Sequence, residues 1–349
     1  MSNLDIKLQS EYFASIDNNI LSLGQALLLL TREHNERVAR EAIRKYCMKT
    51  TVEETQRIGM EFLYINGYTA DLQNLIIKNK NSLNQLNQEW ADAYQVLIDR
   101  RYRRHEPHIF LRRLKNIKTD DPQLKCLIEL SKVALYYDKN EFGKIGNFLD
   151  IQHNLFNQIK DDFLFSSYRL KLYQHLFVYY WVRNELIMAR KYAFRALNKT
   201  NSALTKASLN INLGLTYTFD TLQQGMYHLN EAKKITKELG LNKTYESINQ
   251  RNIPFLAAIF KQVEGVTSND KSEQAHLEIA KGNHDKAIAI LEDVPIDSPF
   301  KLYYLGLAKQ DEAILQQSYT DFIEKRSDYF FSRLPFNALK NLTNIKSSY

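Results

Sequence analysis

AHLEIAKGNHDKAIAILEDV, residues 275–294, reads as two short helices and the turn between them. Ala275, His276, Leu277 and Ala280 belong to a first helix, and Ala287, Ile290 and Leu291 to a second, with Gly282-Asn283 as the turn. Alanines at these positions let two helices approach closely. A single such pair cannot bury its apolar side alone, so pairs must stack on like pairs. The same grammar recurs upstream. Ala189, Ala193 and Ala196-Leu197 lie on one helix, LNINLGLTYTF (209–219) reads as the next, and Gly225, Leu229 and Ala232 lie on a third. Ala189 and Gly225 are 36 residues apart, close to the roughly 34-residue tetratricopeptide period. The step from Gly225 to Ala287 is 62, so the array is irregular near Pro254. There a new helix or a kink is expected within 245–263, because proline removes a backbone donor.

Local punctuation agrees with helices throughout. Val38, Ala39, Ala42, Ile43 and Tyr46 recur at helical spacing. Thr51 with Glu54 has the spacing of a capping box, and Ile58, Phe62 and Leu63 share the apolar face of the helix it would open. Asn66-Gly67 and Leu239-Gly240 read as helix ends, and Asp121-Pro122 as a helix start. The chain holds 11 glycines and 6 prolines in 349 residues, against roughly 24 and 17 at average usage. No period-2 strand stands out. The expected fold is all-α, a tetratricopeptide-like right-handed α-solenoid. It is expected to run from residue 51 to 349 behind a short helical region at 1–50. The apolar run Leu176 to Val182 is expected to be buried core, being too short to span a bilayer.

Catalytic signatures are lacking. No GxxxxGK[ST], GxGxxG, GxSxG or HExxH occurs. His105 and His108 flank Pro107 without an obvious third ligand, and Asp120-Asp121 is better explained as a helix start than as an acid–base pair. An enzyme, a metal site and a cofactor are not expected. Cys47 and Cys126 form no disulfide framework, no signal peptide opens the chain, and no apolar run reaches membrane-spanning length. A cytoplasmic protein without membrane partners is therefore expected.

Charge is uneven. Arg100, Arg101, Arg103, Arg104, Arg112, Arg113, Lys115 and Lys118 stand against Glu106 alone, an excess as large as the net +7 of the whole chain. Guanidinium forks suit phosphates, so these arginines are candidates for nucleic-acid contact. The opposing reading is a solvated basic helix pair, partly neutralised by acids elsewhere in the fold.

Five segments, in order, carry a family resemblance: KYCMKTTVEETQRIGMEFLYINGYTADLQNLI (45–76), QEWADAYQVLIDRR (88–101), ARKYAFRALNKTNSALTKASLNINLGLTY (189–217), SEQAHLEIAKGNHDKAIAILEDV (272–294) and SYTDFIEKRSDYFFSRLPFNALKNL (318–342). Together they resemble the AimR-like arbitrium receptors of temperate phages, which are tetratricopeptide-like regulators that sense a short secreted peptide. The resemblance implies a cytoplasmic homodimer in a bacterial host. It implies DNA binding through an N-terminal helix-turn-helix, control of lysis against lysogeny, and peptide binding in the superhelix groove. It places Asp328 where a family carboxylate meets the peptide's arginine, and Gln274 near another polar contact. At the positions of the family's groove asparagines and arginine, this chain has Val178, Val182, Leu204 and Leu215, which offer no side-chain hydrogen bond. A buried peptide amide left unpaired costs roughly 1–3 kcal/mol. A more apolar peptide, a shifted site or lost sensing is therefore expected, with Asn210 and Asn212 as potential substitutes. Only about 34 residues precede the shared portion, so the helix-turn-helix reads as shortened or missing. The alternative is a non-DNA-binding adaptor or inhibitor acting on a protein partner.

Overall fold

The computed structural model describes residues 11–18 and 20–346. Among these residues every regular element is helical: α1 (11–17), α2 (Leu23–Glu33), α3 (Glu36–Lys49), α4 (Glu53–Ile65), α5 (Thr69–Lys80), α6 (Gln85–Arg101), α7 (Pro107–Asn116), α8 (Pro122–Asp138), α9 (Leu149–Phe156), α10 (Asp162–Val182), α11 (Leu186–Lys199), α12 (Ala203–Leu215), α13 (Leu222–Glu238), α14 (Asn242–Ser247), α15 (Ile253–Ile259), α16 (Lys271–Ala280), α17 (His284–Glu292), α18 (Pro299–Lys309), α19 (Glu312–Thr320) and α20 (Arg333–Lys346). Sequence neighbours pair most closely, notably α5 with α6, α12 with α13, α16 with α17 and α18 with α19. Second neighbours also touch: α4 with α6, α13 with α15, α16 with α18 and α18 with α20. Contacts to the next helix and the next but one are the mark of stacked helix pairs, so the fold is an all-α, tetratricopeptide-like solenoid. Among the described residues, no helix is long and apolar enough to cross a membrane.

The chain forms two compact units. Unit 1 comprises residues 1–139 and 144–172, and unit 2 comprises 140–143 and 173–349. The division falls inside α10, a 21-residue helix with no proline or glycine to mark a break.

Unit 1 is built around large rings: Trp90, Tyr94, Tyr168 and Phe62 are all at most 1% exposed. Among them lies an acid, Glu61 of α4, with no exposed surface. Its carboxylate accepts from Tyr94 Oη–H at 2.7 Å, from Ser167 Oγ–H and from the Lys171 ammonium. A charge so placed must be paired to be tolerated.

Unit 2 starts from small residues. Ala189, Ala193 and Ala196 of α11 are fully buried, as the repeat pattern requires. Gly214 of α12 and Gly225 of α13 face each other at the helix crossing. A Cβ on Gly214 would lie 2.9 Å from the Gly225 carbonyl oxygen and 2.9 Å from Leu229 Cγ. Gly214→Ala is therefore expected to force the helices apart. The clash costs about 1–3 kcal/mol, and the better helix propensity of alanine offsets roughly 0.5–1 kcal/mol of it. A urea midpoint equal to that of the parent protein would show that the crossing can yield.

Most punctuation reads as expected. Asp121 caps α8, accepting from the Gln123 and Leu124 amides, and Gly67 and Gly240 adopt positive φ just past their helices. Leu176, Phe177, Val178, Trp181 and Val182 are buried, in keeping with core. One expectation needs correcting. The Thr51–Glu54 capping box does not form: Val52 is the N-cap of α4, with no side-chain cap. Thr50 takes over the local turn instead, its Oγ1 accepting from Val52 N–H while its carbonyl accepts from the Gln56 and Lys78 side chains.

A new helix does start at Pro254, as expected: the proline stands in the first turn of α15, which begins at Ile253. A π-helical turn, Ile248–Asn252, joins α14 to α15. The carbonyl that a residue-254 amide would have bonded belongs to Gln250. It accepts instead from Ser268 Oγ–H at 2.6 Å, and Asn269 N–H bonds the Gln250 side chain. The proline thus frees an acceptor that anchors the loop leading into α16.

Candidate functional site

That loop determines what Gln274 does. Its side-chain amide donates to the Ser268 carbonyl at 2.7 Å, so it clamps the loop that Gln250 holds from the other side. Its neighbour Glu273 points inward. Tyr304 Oη–H donates to Glu273 Oε1 at 3.0 Å, while Oε2 has no hydrogen bond among the described residues. His276, one turn on, stacks on Tyr304 with ring centroids 4.2 Å apart. Its Nδ1 also lacks a partner and lies 3.7 Å from Glu273 Oε2. The sequence reading chose Gln274 and missed this pair. The i,i+3 spacing of Glu273 and His276 on one helix was the available signal.

Asp328 sits in the turn before α20 and is 3% exposed. Its carboxylate accepts from Phe331 N–H at 2.9 Å, and its own amide donates to the Phe322 carbonyl at 2.9 Å. Burial pushes its carboxyl up to about 7, against the pull of the Phe331 and Phe330 amides and the Arg326 charge. The turn it organises packs onto the end of α10. Phe330 N–H donates to the Val182 carbonyl at 3.1 Å, and Trp181 meets Phe330 and Phe331 edge-on. Phe331 also meets Phe255, which in turn lies 5.7 Å from the His276 ring. Asp328, Trp181 and the Glu273–His276 pair are thus linked through one layer of rings within unit 2. The buried Trp181 Nε1 likewise has no hydrogen bond among the described residues.

The four positions with apolar replacements fall differently. Val178 and Val182 are buried on one face of α10, and Val182 contributes its backbone rather than its side chain. Leu204 is half exposed at the first turn of α12. Leu215 is partly buried at the other end, roughly 16 Å along the axis from Leu204. Asn210 is already committed: its amide donates to the Lys206 carbonyl, and its Oδ1 lies 2.8 Å from His228 Nδ1.

The basic run lies in unit 1, where much of it is used internally. Arg100 forks onto Asp138 at 2.7 and 3.1 Å. Arg101 donates to the Tyr64 carbonyl and lies over the Tyr64 ring at 3.9 Å. Arg104 and Arg113 take the two oxygens of Asp99, at 2.9 and 2.6 Å. Burial alone would raise Asp99, but hydrogen bonds from Arg113, Gln95 and Arg104 outweigh it and hold the carboxyl below its usual range. Arg103 and Arg112 face solvent.

The model of one family, the AimR transcriptional regulator-like family, matches residues 39–341. The AimR transcriptional regulator of Bacillus phage phi3T is 21% identical over 300 residues, covering 82% of this chain and 77% of that protein. An uncharacterized protein of Bacillus anthracis is 24% identical over 241 residues, covering 66% of this chain and 88% of that protein. Among solved structures, a phAimR–ligand structure superposes with a TM-score of 0.73 at 20% identity, covering 92% of this chain and 98% of the other. A selenomethionine phAimR structure gives 0.65 at 20% identity, covering 91% and 87%. These likenesses establish a shared fold. With a family match spanning most of its length, this chain belongs to the AimR transcriptional regulator-like family.

Proposed function

We propose that the protein is a non-enzymatic, peptide-responsive regulator of the arbitrium-receptor type, acting as a homodimer in the cytoplasm of a bacterial host and controlling phage lysis–lysogeny gene expression. Unit 2 supplies the peptide site. The observation that carries the reading, beside family membership, is Asp328, a buried carboxyl raised to about 7. A carboxylate that is costly to ionise gains more than an exposed one when a peptide guanidinium arrives. Gln274 acts through the loop it clamps, and Glu273 Oε2 and Trp181 Nε1 are an acceptor and a donor without a hydrogen bond among the described residues. Leu204, half exposed, and Leu215 favour a peptide with apolar side chains at those contacts, while Val178 and Val182 are buried in the core. A ligand shifts the regulator only by its differential affinity for two states.

The test is calorimetry with the peptide encoded by the short reading frame immediately downstream of the gene. Asp328→Ala is expected to weaken it by about 1.5–3 kcal/mol, roughly tenfold to a hundredfold. Unchanged affinity removes Asp328 from the site.

The engagement of Arg100, Arg101, Arg104 and Arg113 within unit 1 favours a second reading, an adaptor or inhibitor that acts on a protein and not on DNA. In the same study, anisotropy on phage promoter DNA at two salt concentrations separates the two. A direct regulator gives a steep salt slope that Arg103→Ala and Arg112→Ala reduce, and no binding at low salt leaves the adaptor.

A further inference from the structure

We propose that the exposed face shared by α11 and α13 of unit 2 docks an acidic amphipathic helix of a partner protein. Ile187 and Phe194 of α11 are 85% and 42% exposed. They lie seven residues apart, two helical turns or roughly 10.5 Å, on one face. Tyr227 of α13 is 59% exposed. A single exposed apolar side chain is ordinary, but Phe194 of α11 and Tyr227 of α13 both lie against the His228 ring and so form a group, the mark of an interaction surface.

The rings of this group are held in place from below. Buried His228 lies 5.9 Å from the Phe194 ring and 5.2 Å from the Tyr227 ring, and stacks on Tyr217 at 5.8 Å. Since the Asn210 amide is spent on Lys206, Asn210 Oδ1 is the acceptor and His228 Nδ1 carries the proton. Burial and the neighbouring Arg190 charge lower the His228 pKa, so the wedge is neutral near pH 7.

The rim is cationic along α11 and mixed along α13. Lys191 and Arg195 of α11 and Lys234 of α13 are exposed, and among the described residues no carboxylate pairs with any of them. Glu231 and Glu238 are the acids on the same side of α13. An apolar centre beside the basic edge of α11 fits a helix that presents apolar residues at i and i+7 with acids alongside. Nucleic acid fits less well, because an aliphatic Ile187 gives a base nothing to stack on. A second copy fits less well, because it would bring the same cations to the contact.

The experiment selects a phage-displayed library of randomised 12-residue peptides on the full-length chain. Enriched sequences are expected to combine Asp or Glu with spaced Leu, Ile or Phe. They are expected to lose at least tenfold in affinity on both Ile187→Ser/Phe194→Ser and Lys191→Glu/Arg195→Glu, and to keep their affinity on Asp328→Asn, which sets this face apart from the peptide site. A pool without acidic enrichment, or one that binds both double variants as well as the parent, overturns the proposal. So does loss of oligo-dT binding, or of self-association in sedimentation, in the same two variants, because the occupant would then be nucleic acid or a second copy.

Discussion

Replacing Lys171 with methionine is expected to lower the stability of unit 1 by about 3–5 kcal/mol, the largest effect of a single change outside the peptide site. Glu61 has no exposed surface, and Lys171 is the cation that compensates it. Tyr94 and Ser167 supply two further donors, but both are neutral. Methionine matches the length and apolar stem of lysine, so packing is largely kept while the charge is removed. What remains is a carboxylate in a pocket of rings, left to bear the desolvation without its cation. The double variant Glu61→Gln/Lys171→Met separates a penalty of orphaned charge from simple loss of packing. Buried pairs replaced as a unit are often nearly neutral, whereas breaking one partner is not. The double variant should therefore recover much of the stability lost by Lys171→Met, read as urea midpoints of the transition that includes unit 1. A Lys171→Met loss below about 1 kcal/mol would place this pair with ordinary surface ion pairs.

The helical fold was legible because its determinants are local. The Ala-rich faces of α11 and α17, the glycine at the α16–α17 turn and the Asp121-Pro122 start each act within a few residues of themselves. The capping box at Thr51 misled for a related reason. Its spacing was right, but Thr50 is tied to the Gln56 and Lys78 side chains, and the cap moved with it. The division within α10 left no trace, since it is set by long-range packing and not by a linker. Site geometry was the least legible. Gln274 was named only through the family resemblance, and its partner, the Ser268 carbonyl, lies in a loop whose anchoring to Gln250 the sequence does not display. The arginine run showed its charge but not its partners. Asp138 and Asp99 lie on other turns or helices, and they turn most of a phosphate-like signature into internal ties.

Asp328→Asn is expected to stabilise the protein at pH 8 and to leave it nearly unchanged near pH 4. The sign follows from the raised carboxyl. In the unfolded chain Asp328 ionises near its usual 3.8, and in the folded chain near 7. Below the lower value both states are protonated, and the group takes nothing from stability. Between the two values the unfolded chain has released its proton and the folded chain has not, so stability falls as pH rises. Above the upper value the loss is complete. A gap of about three units corresponds to about 4 kcal/mol. Asparagine still offers Oδ1 to the Phe331 amide and never ionises, so its difference from the parent should grow steadily from pH 4 to 8. Comparing urea midpoints of the two proteins at each pH cancels the histidines and other carboxylates they share. A constant difference across that range would mean that Asp328 ionises freely and is not the poised group the peptide reading requires. A difference that grows as expected, and shrinks once an arginine-containing peptide is bound, would show the guanidinium supplying the charge that unit 2 itself withholds.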